Sequence, residues 1–215
     1  MSLQQLFQQG RIWRGHEFDT QQDIEHVLSL PSGYAALDHA LPFGGWPRGA
    51  LSEILHSQPG QGELQLLLPA LATISHDKRY IVLIDPPWIP YAPALSSKGI
   101  DLRFVISIGR QQASKLKNDE RHWALEQSLR ASQCGAVLAW PPGELDTKTL
   151  RRLQLAAEAG DSCAFLFRHP RFRTQHSPAA LRLQLYPVKS GLQLEVIKCR
   201  GRNPASTRIE LPLGA

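Results

Sequence analysis

The sequence predicts a single α/β domain built on a mainly parallel sheet. Three observations point to it. Between residues 51 and 167, short apolar runs of strand length alternate with longer segments of helical spacing, the pattern of βαβ units. The chain has 215 residues, enough for one such core and few for two. Hydrophobic residues make up 42% of it, which excludes global disorder, yet no apolar run reaches the roughly 18 residues of a membrane span.

Each element follows from its own residues. Residues 1–29 show little periodicity beyond 3–7 and 24–28 and read as an N-terminal arm on a domain spanning 30–215. The arm lacks the basic start and apolar core of a secretory signal. A turn at Pro31, Ser32 and Gly33 leads to a short helix around Leu37 and Asp38, then to a glycine-rich bend over 44–49. Residues 51–55 form a first strand, and 63–75 a helix in which Pro69 predicts a kink or early break. YIVLI at 80–84 is a buried strand ending in the rigid turn Asp85, Pro86, Pro87. Trp88, Pro90 and Tyr91 are expected to cap the sheet. A short helix over 90–98 stops at Gly99, strand 104–108 follows, then an amphipathic helix over 120–131 and strand 136–140. Asp146 caps a helix that runs to Ala159, with Gly160 as its stop, and 164–167 is a fifth strand. The alternating runs 181–186 and 192–198 around Lys189, Ser190 and Gly191 predict an antiparallel hairpin added to the sheet.

The loop after the first strand is the most informative stretch. A phosphate loop reads G-x-x-x-x-G-K-[ST], in which backbone amides cradle phosphate, the lysine reaches the outer phosphates and the hydroxyl holds magnesium. Here Gly60 and Gly62 are followed by Glu63 and Leu64. At about 4 Å a carboxylate repels a phosphate charge by roughly 4 kcal/mol at surface-type dielectric. No bound nucleotide, cofactor or metal is therefore expected. The eight histidines and three cysteines show no ligand spacing, and the cysteines read as buried thiols of a reducing, cytoplasmic compartment.

Taken in order, the 31–33 turn, Leu37 and Asp38, the 44–49 bend, Ser52 to Ile54, the 80–107 segment and the strand ending at Arg200 resemble the core of the RecA recombinase. That resemblance implies a three-layer RecA-like fold. It also implies a pattern of loss: the phosphate-loop lysine and threonine fall on Glu63 and Leu64, the catalytic glutamate near Pro87, and the magnesium-holding aspartate on Trp140. Phosphoryl transfer needs all of these functions, so the resemblance implies no enzyme. Blocks at 13–15, 41–49, 66–71, 90–95, 123–127, 139–141 and 151–158 resemble, more closely, the ImuA family, RecA-like and SulA-like accessory proteins of damage-induced mutagenesis. This implies a non-enzymatic adaptor of the SOS response in translesion DNA synthesis. Its implied partners are an ImuB-like inactive Y-family polymerase homologue, an error-prone polymerase subunit and RecA. The alternative is SulA-like inhibition of cell division by binding FtsZ.

The remaining candidates are binding residues. Net charge is +5, but between Arg168 and Arg208 nine basic residues face one acid, a balance of +8 that leaves −3 elsewhere. Within that region Arg168, Arg171 and Arg173 around Phe172 suit either a single-stranded DNA track or a solvated basic loop. Lys198 and Arg200 match, by the RecA resemblance, residues that reach a neighbouring subunit's nucleotide; the other reading is ordinary solvated charge. On the arm, Trp13 and Arg14 are residue types enriched in interaction hot spots, and Trp13 either anchors a partner or packs back on its own domain.

Overall fold

The computed structural model describes residues 29–42, 44–109, 118–201 and 208–212. An eight-stranded sheet forms its centre. The strands are β3 (Ala50–Leu55), β4 (Tyr80–Ile84), β5 (Val105–Ile108), β6 (Cys134–Ala139), β7 (Cys163–Arg168), β8 (Leu181–Val188), β9 (Gly191–Cys199) and β10 (Arg208–Pro212). They lie in the order β10-β9-β8-β3-β7-β6-β4-β5. From β8 to β5 every pairing is parallel, and β9 pairs antiparallel with both β8 and β10. The expected hairpin is therefore present, joined to the sheet through β8 against β3. A small two-stranded pair, β1 (Ser29–Leu30) with β2 (Trp46–Pro47), precedes it.

Helices cover both faces, and the pleat assigns side chains to them. Ile54, Ile81, Leu83, Leu138 and Phe165 point to one face, packed with Leu37 of α1 (Ala35–Ala40), Leu71 and Ile74 of α2 (Leu68–His76) and Leu95 of α3 (Ala92–Ser97). Leu51, Val82, Val137, Ala164 and Leu166 point to the other, packed with Leu125 and Leu129 of α4 (Asn118–Arg130) and Leu150, Leu153 and Ala157 of α5 (Thr147–Gly160). Alternate residues of one strand thus enter different cores, which is why the central strands read as continuous apolar runs. Burying one such Leu or Phe contributes about 1.5–3 kcal/mol. No described helix is long and apolar enough to cross a membrane.

Three local expectations change. Pro69 does not kink a helix, because α2 begins at Leu68 after a 3-10 turn at Gln65–Leu67. A proline in the first helical turn lacks only an N–H that would have no helical acceptor. Gly160 is not the left-handed stop of α5: Asp161 takes that conformation, with φ 51°. Gly160 is small for a different reason, since a Cβ there would lie 2.0 Å from the Leu129 carbonyl oxygen. Phe104 ends a 3-10 turn, Leu102–Phe104, and β5 starts one residue later. The arm over 1–29, with Trp13 and Arg14, lies outside the described residues save Ser29, which opens β1.

Candidate interaction surface

The carboxyl ends of β3, β4, β6 and β7 form one rim, where open α/β sheets present their ligands. After β3, the loop from His56 to Leu64 is held by hydrogen bonds within itself. His56 Nδ1–H donates to the Gln58 carbonyl (2.8 Å) and the Ser57 hydroxyl to Gln61 Oε1 (3.1 Å). Gly60 and Gly62 have φ of +82° and +95°, conformations that favour glycine. The Gly60 N–H donates to Glu63 Oε1 at 2.8 Å. Glu63 is only 4% exposed, and its Oε2 is buried without a hydrogen-bond partner. The Gly60 amide of this loop is thus taken by the chain's own carboxylate.

After β4 the chain turns outward. Asp85 sits at φ 51° and its Oδ2 lies 3.4 Å from Arg121 Nε. Trp88 is 62%, Ile89 79% and Tyr91 71% exposed. The expectation that Trp88, Pro90 and Tyr91 cap the sheet is corrected: they project from its rim, with the Trp88 ring lying over Gly60. A groove of about 320 Å³ separates this loop from the β3 loop, with Glu63, Pro87, Trp88, Tyr91 and Trp140 on its walls. Trp140 follows β6 and stacks on Phe167, centroids 4.4 Å apart and planes 18° from parallel. A second cleft of about 380 Å³ lies beside it, between His56, Asp85, Arg121, Trp140 and His169.

After β7 the basic stretch is wired inward. The Arg168 side chain is 1% exposed and its guanidinium donates to Glu53 Oε1 (3.2 Å) and Gln175 Oε1 (2.6 Å). Burial pushes the Arg168 guanidinium below its usual range. Arg182 Nε donates to Glu53 Oε2 (2.8 Å), and its other nitrogens to the carbonyls of Phe172, Arg173 and Gln175. The Ser177 hydroxyl adds a 2.7 Å bond to Glu53 Oε1. Glu53 itself is 0% exposed. Arg173 donates to Glu195 through both terminal nitrogens (2.8 and 2.6 Å), which holds that carboxyl down at about 2. Arg171 stacks on Phe172 at 4.7 Å. Of the three arginines read as a DNA track, Arg168 does not reach solvent, Arg173 is paired and half exposed, and Arg171 lies on the surface.

Lys198 and Arg200 are not brought to the rim groove. Lys198 Nζ donates to the Ser177 carbonyl at 2.7 Å, and burial lowers its pKa. Arg200 follows β9, its backbone N–H bonded to the Ala180 carbonyl. The Glu53 network was missed by sequence reasoning, although a glutamate inside the apolar strand ALSEIL is a signal for it. All three cysteines are buried, with the Cys163 thiol pushed up to about 12, and no described cluster of His, Cys, Asp or Glu could hold a metal. What the rim offers chemically is recognition: exposed rings beside a groove with a carboxylate in its lining.

Comparison with known proteins gives one consistent answer. The family profile described as cell division inhibitor SulA matches residues 49–164, more than half of the chain. A cell division inhibitor SulA of Pectobacterium carotovorum subsp. carotovorum (strain PC1) is 27% identical over 147 residues, covering 68% of this chain and 84% of the relative. The protein of the same name from Yersinia pestis (strain Pestoides F) is 30% identical over 120 residues, 56% of this chain and 68% of the relative. These matches bear out the SulA-like part of the resemblance and give no support to ImuA in particular, and they overturn the adaptor role in translesion synthesis in favour of the division-inhibitor alternative. The matches do not bear on an ImuB-like protein, a polymerase subunit or RecA as partners.

Proposed function

The chain belongs to the SulA cell division inhibitor family, and from that premise we propose that it is a non-enzymatic inhibitor of bacterial cell division that acts by binding FtsZ. The observation that carries this reading is the reach of the match. Residues 49–164 take in β3 to β6, the start of β7, and the loops that build the aromatic rim groove. The antiparallel strands β8 to β10 lie beyond it.

The rim supports a binding role over a catalytic one. Glu63 occupies a loop amide with its own oxygen, and Pro87 and Trp140 supply neither a water-orienting group nor a magnesium ligand. In this reading the domain is a RecA-type scaffold whose nucleotide loop no longer takes nucleotide, working in the cytoplasm during the DNA-damage response. Blocking division while DNA is repaired needs only a surface that removes a division protein from its polymer.

The test is overproduction of the full chain in bacteria, with purified chain added to FtsZ polymers in a sedimentation assay. Filamentous cells and a loss of pelleted FtsZ are expected. Normal division at high soluble levels of the chain overturns the reading.

A further inference from the structure

The rim groove has a feature that recognition of a purely apolar partner does not require. Its lining includes Glu63, 4% exposed, with one oxygen bonded to Gly60 N–H and the other buried with no partner. A buried carboxylate oxygen left unpaired is costly, on the order of 1–3 kcal/mol or more for a charged group, and buried polar groups in native proteins nearly always find partners. Trp88, Tyr91 and Trp140 line the same groove as Glu63. Aromatic faces attract cations, and a carboxylate among them adds a charge-assisted hydrogen bond.

We propose that this groove binds a lysine or arginine side chain of the partner protein, seated between the Trp88 and Tyr91 rings and directed at Glu63. The inference rests on the division-inhibitor reading and makes the partner's contribution specific: a basic residue with apolar neighbours.

The same observations disfavour other occupants. A phosphate or a nucleic acid backbone would bring negative charge to Glu63. A second copy docked groove to groove would place one Glu63 carboxylate opposite the other. The loop from Pro86 to Ser97 carries no charged residue of its own, and among the described residues that line the groove Glu63 is the one that carries charge. Trp88, Ile89 and Tyr91 together expose on the order of 400 Å². This is about half of what each side buries in a standard interface, a fitting size for its central cluster with the rim of the contact around it. The structure also explains the glycine at position 60. A side chain there would meet the Trp88 ring at 3.1 Å and push that wall aside.

The experiment compares full-length wild type, Glu63→Gln and Trp88→Ala in binding to purified FtsZ and in filamentation on overproduction. Glu63→Gln keeps the shape and the acceptor for Gly60 N–H but removes the charge, and Trp88 is exposed, so both variants fold. The expected result is binding weakened about tenfold or more in each, one hot-spot interaction at 1.4 kcal/mol per decade. For Glu63→Gln the residual binding also loses part of its salt dependence. If wild type binds and filaments cells while Glu63→Gln binds within twofold, the cation site is overturned and the division-inhibitor reading stands. If wild type neither binds FtsZ nor filaments cells, that reading fails, and the groove is decided by titrating acetyl-arginine-amide against indole fluorescence. A quench in wild type that Glu63→Gln lacks sustains the site, and no difference between the two overturns it.

Discussion

Replacing Glu53 by alanine is the sharpest test of how this fold is held together. The carboxylate is 0% exposed and receives hydrogen bonds from Arg168 (3.2 Å), Ser177 (2.7 Å) and Arg182 (2.8 Å). The two arginine side chains are themselves 1% and 6% exposed. Removing one partner of a buried pair costs about 3–5 kcal/mol, because the charge left behind stays desolvated. Here a single carboxylate serves two guanidiniums. Arg182 keeps three backbone carbonyls and Arg168 keeps Gln175, so hydrogen bonding survives while charge neutrality does not. That argues for the upper end, about 5 kcal/mol, a third or more of a typical domain's stability. At roughly 2–4 °C per kcal/mol for a chain of this size, Tm falls by about 10–20 °C. Urea unfolding and thermal circular dichroism measure both quantities. Replacing all three side chains together by leucine and methionine should recover most of the loss, since an apolar triad has no charge to strand. A fall of less than about 3 °C for Glu53→Ala would refute the reasoning.

Further predictions follow from other sites. Gly160→Ala should destabilise by about 1–3 kcal/mol, by urea unfolding, because its Cβ meets the Leu129 carbonyl at 2.0 Å. Gly143→Ala, with nothing within 4 Å, should be neutral. The Glu195 carboxyl is held at about 2 in the folded state by Arg173, below its ordinary value of about 4.3. Its contribution is then fully present above about pH 4.3 and disappears as pH falls through 2. The Tm gap between wild type and Glu195→Gln should accordingly be constant from pH 5 to 7 and close toward pH 2. Equilibrium dialysis with labelled ATP should show no retention, and micromolar binding would contradict the role given to Glu63.

The sheet and its helices were legible because periodicity and punctuation carry them. The β4 run YIVLI and the cap Asp146, whose Oδ1 accepts from Thr149 N–H at 2.7 Å, mean in the structure what they mean in the sequence. What was not legible depends on residues far apart in the chain. Arg168 looked like surface charge because its counterion lies 115 positions away. Trp88 and Tyr91 looked like sheet caps because apolar character alone does not say whether a ring faces a core or a partner. Gly160 has the residue type of a helix stop, while the reason for it is a neighbouring helix end that no local window contains. For the groove, Glu63 and its glycine-rich loop were visible at once, but the stranded oxygen was not, because that depends on how the loop closes on itself.

The position of β3 at the middle of the sheet has a consequence for biosynthesis. Ala50 pairs with Cys163, 113 positions later, and Ser52 with Leu181. At about 5–20 residues per second, the ribosome makes β3 roughly 6–23 s before its first neighbour exists. During that interval an apolar strand carrying a charged glutamate waits with both edges open. The glutamate that later stitches three strands together serves first as a gatekeeper, disfavouring the premature self-association that such a strand invites.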